Sequence, residues 1–219
     1  MGLVQTSILE AGLRGKVGNA VFVRTPYGVS VRDYVIPTDP QTEAQMAVRQ
    51  RMRLAAAAWR SLTAAQIEAW NDFAEATGGR EPGDGRLLGP SGQRLFVRLA
   101  TKFLQVSPGS VVPRDPPETA FGGDAVSVSA SGEQGAVRFV GSGPNAAGVV
   151  TELLLQPVRT AVSRAYPQKF RSQGFVSFSG SEVVVPAEVG GWYAAAYRFV
   201  LVATGQAGAV LPAGVVRVG

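Results

Sequence analysis

"SEVVVPAEVGGWYAAAYRFVLVAT", residues 181–204, holds two runs of β-branched, aromatic and small apolar residues on either side of "AEVGG". The runs show no period of 3.6, and Gly, Pro and Ser bound them. That is the pattern of strands rather than of a helix. Similar runs recur on both sides: "AVSVSA" at 125–130, "AVRFVGS" at 136–142, "VVTELLLQ" at 149–156, "FVSFSG" at 175–180 and "AVLPAGVVRV" at 209–218. Gly, Pro, Ser and Asn separate them. This spacing predicts an all-β sandwich of the immunoglobulin or fibronectin III kind over residues 124–219. The chain has no cysteine, so the inter-sheet disulfide of antibody domains is excluded. Trp192 and Tyr193 are the candidates to anchor the core instead.

Upstream the pattern changes. Pro108, Pro113, Pro116 and Pro117 fall within residues 108–123, which reads as a stiff linker. Residues 38–107 read as helical. "TDPQTEAQ" is a start signal, with Asp39 as N-cap and Pro40 at the first helical position. Val48, Met52, Ala55, Trp59 and Leu62 then recur at helical spacing as one apolar face. Thr63 with Gln66 forms a capping box that opens a second helix, with Ile67, Trp70, Phe73 and Ala74 apolar and Gly78-Gly79 at its end. A third helix runs from about Gln93 to Gln105 with Leu95, Phe96, Leu99 and Phe103 on its face. Residues 1–37 read as an arm and hairpin: "AVFVRT" and "VSVRDYVI" around Pro-Tyr-Gly. The expected class is therefore α+β: a β-hairpin, about three helices, then the sandwich.

Composition excludes several kinds of chemistry. No cysteine and no histidine means no thiol nucleophile, no histidine base and no His/Cys zinc site. Glu68, Asp72 and Glu75 share a helix face and read as solvated acids rather than as metal ligands. The loop "GGREPGDGRLLGPSG" lacks the Gly-Lys-Ser/Thr ending of a phosphate-binding loop. No catalytic, cofactor-binding or metal-binding residue is expected, and the chain is not expected to be an enzyme. No apolar run reaches the length of a membrane span, and no secretory signal is read at the start. Synthesis in a cytoplasm is expected. The wealth of Arg and Pro fits a thermophilic source.

What remains is binding. The chain carries 21 basic and 16 acidic residues, a net +5, and only 17% of its residues are charged. That leaves much neutral surface, which suits contact with copies of itself or other partners. Three candidate interfaces follow. The hairpin offers Val21, Val23, Val29, Val31, Arg32 and Tyr34, partly exposed if it stands alone, because a lone hairpin is marginal in water. Arg49, Arg53 and Arg60 form a stripe beside the apolar face of the first helix. It serves either nucleic-acid phosphates or ion pairs with neighbouring acids. The segment 157–175 holds Arg164, Tyr166, Phe170 and Arg171 between β runs; it is either a plain long loop or a recognition loop.

The run "RGKVGNAVFVRTPYGVSVRDYVIPTDPQTEAQMAVRQRM", followed by "AAAWRSLTAAQIEAWNDFA", resembles a group of uncharacterised bacteriophage and prophage-type proteins. The matching parts are Gly15 to Gly18, Asp39 to Gln45, Trp59 to Trp70, and Gly92 with Leu95-Phe96. Asp39 stands where asparagine is common in that group. The resemblance implies a structural protein of a virion: capsid-associated, a decoration protein or a tail protein. Its implied partners are copies of itself and other virion proteins. Nucleic-acid association and an adhesin-like surface-binding module are the alternatives.

Overall fold

A computed structural model describes residues 2–4 (as backbone), 14–25, 28–77, 90–180 and 182–219. The class is mixed α+β, with three α-helices and several antiparallel sheets among the described residues. The chain divides into two compact units, Met1–Gln45 and Met46–Gly219.

The first unit is a four-stranded antiparallel sheet. Its strands are β1 (Gly2–Val4), β2 (Gly15–Val17), β3 (Ala20–Thr25) and β4 (Gly28–Asp33), in the order β1-β4-β3-β2. The expected hairpin is its centre, with Phe22 opposite Val31 and Val23 opposite Ser30. It is not a lone hairpin, because β1 pairs with β4 and β2 with β3. The Pro26-Tyr27 turn lies outside the described residues. β4 stops at Asp33, short of Ile36, and Val35 and Ile36 are exposed. Among the unit's described residues only Val29 and Ser30 are buried, on opposite faces of the strand.

α1 (Glu43–Arg60), whose first three residues fall in the first unit and the rest in the second, starts later than Asp39-Pro40 predicts. Thr42 caps it: the Gln45 N–H donates to Thr42 Oγ1 (3.4 Å), and the Thr42 N–H donates to Gln45 Oε1 (3.3 Å). Gln41 takes a positive φ of 48°, which breaks any helix begun at Pro40. α2 (Ala64–Ala76) opens on the expected Thr63–Gln66 box. Gly78-Gly79 and most of the glycine-rich loop after it lie outside the described residues. α3 (Gly92–Val106) is capped by Ser91. Ala55, Trp70, Ala74, Leu95, Phe96, Leu99 and Ala100 form the helical core. The Phe96 ring is its hub, 5.4 Å from Trp59 and 5.2 Å from Trp70. The face expected on α1 is buried only in its second half. Val48 and Met52 stay 50% and 47% exposed, while Ala55 is fully buried.

Residues 108–123, expected as a linker, are packed in place. Trp70 Nε1 donates to the Arg114 carbonyl (2.8 Å) and Gln66 Nε2 to Asp115 Oδ1 (2.9 Å). Val112 packs on the helical core and Phe121 on the β core. The helices and the β region therefore share one unit.

The β region has seven strands: β5 (Val128–Glu133), β6 (Ala136–Gly141), β7 (Val149–Val158), β8 (Arg171–Val176), β9 (Glu182–Pro186), β10 (Trp192–Leu201) and β11 (Leu211–Arg217). They form two antiparallel sheets, β11-β10-β7-β8 and β5-β6-β9. Val128, Val137, Phe139, Leu153, Leu155, Val185, Tyr197, Phe199 and Val216 from both sheets share one core. β5 and β11 come close enough that a Cβ on Gly132 would fall inside contact of the Arg217 carbonyl. Only Phe175 and Val176 of "FVSFSG" are strand, because β8 ends at Val176. Phe178 turns in and packs against Gly141, where a Cβ would meet its ring at 2.8 Å. Trp192 and Tyr193 do not anchor the core together. Successive strand residues face opposite ways, so Tyr193 packs on the core and Trp192 lies on the other face.

Asp124 fastens the loops at one end of this core. Its carboxylate accepts from Asn145 Nδ2 (3.1 Å), the Ala146 N–H (2.9 Å) and the Ala125 N–H (2.7 Å). Burial pushes the Asp124 carboxyl up, but these hydrogen bonds outweigh it and hold it below the usual carboxylate range. A folded value depressed in this way contributes stability above the unfolded value near pH 4, lost as pH falls through the folded value. Asp124→Asn is expected to flatten the acid limb of the stability curve below about pH 5, read by urea unfolding at several pH values. An unchanged acid limb would remove this role.

Candidate functional site

The outer face of the β11-β10-β7-β8 sheet is where helices, strands and loops meet. Leu153 and Leu155 of β7 face the core, so Glu152, Leu154, Gln156 and Val158 face outward. On β10 the outward set is Trp192, Ala194, Ala196 and Arg198. Most of this outer row is buried as well: Glu152, Leu154, Gln156, Ala194 and Ala196. Strands covered on both sides read as continuous apolar runs, which explains "VVTELLLQ" and "YAAAYRFVL".

At one end, α3 covers the face through a charge cluster. Glu152, 1% exposed, sits opposite Arg198 in register. Its Oε2 accepts from Arg198 Nε (2.5 Å) and from Lys102 Nζ on α3 (3.0 Å), and Lys102 also reaches Gln105 Oε1 (2.9 Å). Burial pushes the Glu152 carboxyl up, and its hydrogen bonds with Arg198 and Ser172 and the Lys102 charge overcome that and bring it down. Burial and the Arg198 charge lower the Lys102 ammonium, and Glu152 offsets only part of that, because one carboxylate serves two cations. This cluster is a structural tie between helix and sheet. Its sequence signal is a lone charge inside an apolar run, as Glu152 and Arg198 both are.

At the other end the loop 159–170 folds over the face. The Tyr166 N–H donates to Gln156 Oε1 (2.9 Å), Thr160 and Ser163 pair through their hydroxyls (3.0 Å), and Pro167–Lys169 make a 3-10 turn. Lys169 Nζ stands 5.0 Å from the Tyr166 ring centroid and the Arg164 guanidinium 5.9 Å, while Tyr166 as a residue remains 43% exposed. In register with Val158, where the loop begins, lie Trp192 and then Arg217, whose guanidinium is 6.0 Å from the Trp192 ring. Residues 157–175 carry Arg159, Arg164, Lys169 and Arg171 and no acid.

Arg164 and Tyr166 thus come together as a pair, and Phe170 is half-buried beside them in sequence. Arg171 does not join them. It pairs with Leu155, so it lies on the core-facing side of edge strand β8. Trp192 and Arg217 complete the cluster and were not among the expected interface residues, because only the strand registers bring them to the loop. The arginines Arg49, Arg53 and Arg60 are exposed along α1. In the first unit Val23, Arg32 and Tyr34 are exposed, Val21 and Val31 half-buried and Val29 buried; Lys16 Nζ lies 3.5 Å above the Tyr34 ring. Among the described residues no group of three or more His, Cys, Asp or Glu side chains is placed to hold a metal ion. Among them, too, no helix is long and apolar enough to cross a membrane. Comparison with protein-family models, curated proteins and solved structures finds no match.

Proposed function

We propose that this chain is a structural component of a bacteriophage or phage-like particle, capsid-associated, a decoration protein or a tail protein, working through subunit–subunit contacts. The observation that carries the reading is the sheet of the first unit. Four strands with two buried residues among those described gain little from burial, and a sheet needs a covered apolar face to be stable. Among the described residues its outer strands β1 and β2 each have a strand neighbour on one side alone. Another subunit's strand can add on the other side, which gives lattice contacts their hydrogen bonds. The partners on this reading are copies of the chain and other virion proteins, and the working location is the virion.

The body fits an immunoglobulin-like role as a rigid spacer. With β5 to β11 lettered A, B, C, C′, E, F and G, the sheets are A-B-E and G-F-C-C′. The fourth strand joins C rather than E, which departs from the constant-type immunoglobulin order and supports the fibronectin III-like reading.

The full chain is expected to be an oligomer by light scattering and to co-purify with particles. Deleting residues 1–37 is expected to leave the thermal transition of the rest nearly unchanged and to abolish oligomers and particle incorporation. A truncated protein that assembles normally, or a full chain that stays monomeric and outside particles, overturns the reading.

A further inference from the structure

We propose that the loop-covered end of the β11-β10-β7-β8 sheet is a binding site for single-stranded nucleic acid, formed by Arg159, Arg164, Tyr166, Lys169, Trp192 and Arg217. The inference goes beyond the particle reading and does not depend on it. Two aromatic rings stand on one face of one sheet end, and each has a cation against it: Lys169 and Arg164 at Tyr166, Arg217 at Trp192. Proteins that hold single strands combine a basic track for the phosphates with exposed rings for the bases. Three of the four cations are arginines, whose planar fork suits phosphate oxygens and stacks on bases.

The loop is held in shape before any ligand arrives. Gln156 is buried, yet its side-chain carbonyl takes the Tyr166 N–H, and the Thr160–Ser163 pair and the 3-10 turn fix the segments on either side. A preformed platform loses less conformational entropy on binding. Charge supports the same ligand. No acid occurs in residues 157–175, and the one acid in the turn before β10 is Glu188, whose own N–H donates to Tyr193 Oη (3.0 Å). The cations are assigned to phosphates and the rings stack on any base, so the site is expected to be largely indifferent to sequence.

The test is fluorescence anisotropy of the full chain with a labelled oligo-dT strand. With four cations on phosphates, log K against log salt is expected to slope at about −3, so a fourfold rise in salt weakens binding roughly fifty-fold. Tyr166→Ala is expected to weaken binding about tenfold, and Arg164→Ala with Lys169→Ala to reduce the salt slope by about 1 to 1.5. Arg171→Ala, on the other face of the sheet, and Arg49→Ala with Arg53→Ala, on α1, are expected to change affinity by less than about twofold. Binding that is absent at low salt overturns the proposal. So does binding that responds to the α1 pair and not to Tyr166. Tighter binding to a sulfated polysaccharide than to the oligonucleotide, with no effect of Tyr166→Ala, overturns it in favour of a glycan surface.

Discussion

Glu152→Ala is expected to cost about 3 kcal/mol of stability, because it leaves the partly buried Lys102 and Arg198 side by side without their shared carboxylate. For a chain of this size that lowers the unfolding midpoint by roughly 10 °C, readable by circular dichroism. The effect should come from the two cations left unpaired rather than from a net gain of the cluster. Replacing all three together, Lys102→Met, Glu152→Leu and Arg198→Met, is therefore expected to recover most of the loss. A Glu152→Ala protein within about 1 kcal/mol of the parent would show that the carboxylate does not tie α3 to the sheet. The pH dependence has a definite sign. The lowered Glu152 carboxyl gives stability above the unfolded value near pH 4.3 that disappears as pH falls through the folded value. The lowered Lys102 acts the opposite way from a paired lysine. Between its depressed folded value and the ordinary 10.5, the unfolded chain binds more protons, so this group adds stability as pH rises.

Gly205→Ala is expected to destabilise by about 3 kcal/mol, the sum of two causes. Gly205 has φ +73°, the left-handed region that a Cβ penalises. The added methyl would also fall inside contact of the Leu99 carbonyl and lie 2.7 Å from the Phe103 nitrogen, both backbone atoms of α3. The helix cannot slide away easily, since Lys102 on the next turn is held by Glu152. Gly190 separates the two causes. It has nearly the same φ, +79°, and nothing within 4 Å of an added Cβ. Gly190→Ala should therefore lose only the conformational part, about 1 kcal/mol. Urea unfolding of the two variants measures the difference. Equal losses would mean that the close approach of the loop to α3 has no energetic weight.

The sequence by itself determined the features whose signals are local. Thr63 and Gln66 lie three residues apart and cap α2 whatever surrounds them. The apolar face of α3, Leu95, Phe96, Leu99 and Phe103, is set by helical spacing and is buried throughout. The short β runs fixed the strand content of the C-terminal half, although β8 began earlier than "FVSFSG" suggested. Arg164 and Tyr166 were legible together because one loop carries them.

Tertiary structure alone decided everything that depends on register and layering. β1 lies far from β4 along the chain, so no local pattern announces that outer strand of the first sheet. Val48 and Met52 continue the spacing of Ala55 and Trp59, yet periodicity states only which side they share, not how far the covering helices reach. Thr42 rather than Asp39 caps α1 because Gln41 turns the backbone between them. Trp192 and Arg217 join the loop because β7, β10 and β11 align Val158, Trp192 and Arg217 in one row. Pairing of strands is a long-range choice made by total burial, whereas capping and helical spacing act within a turn of chain.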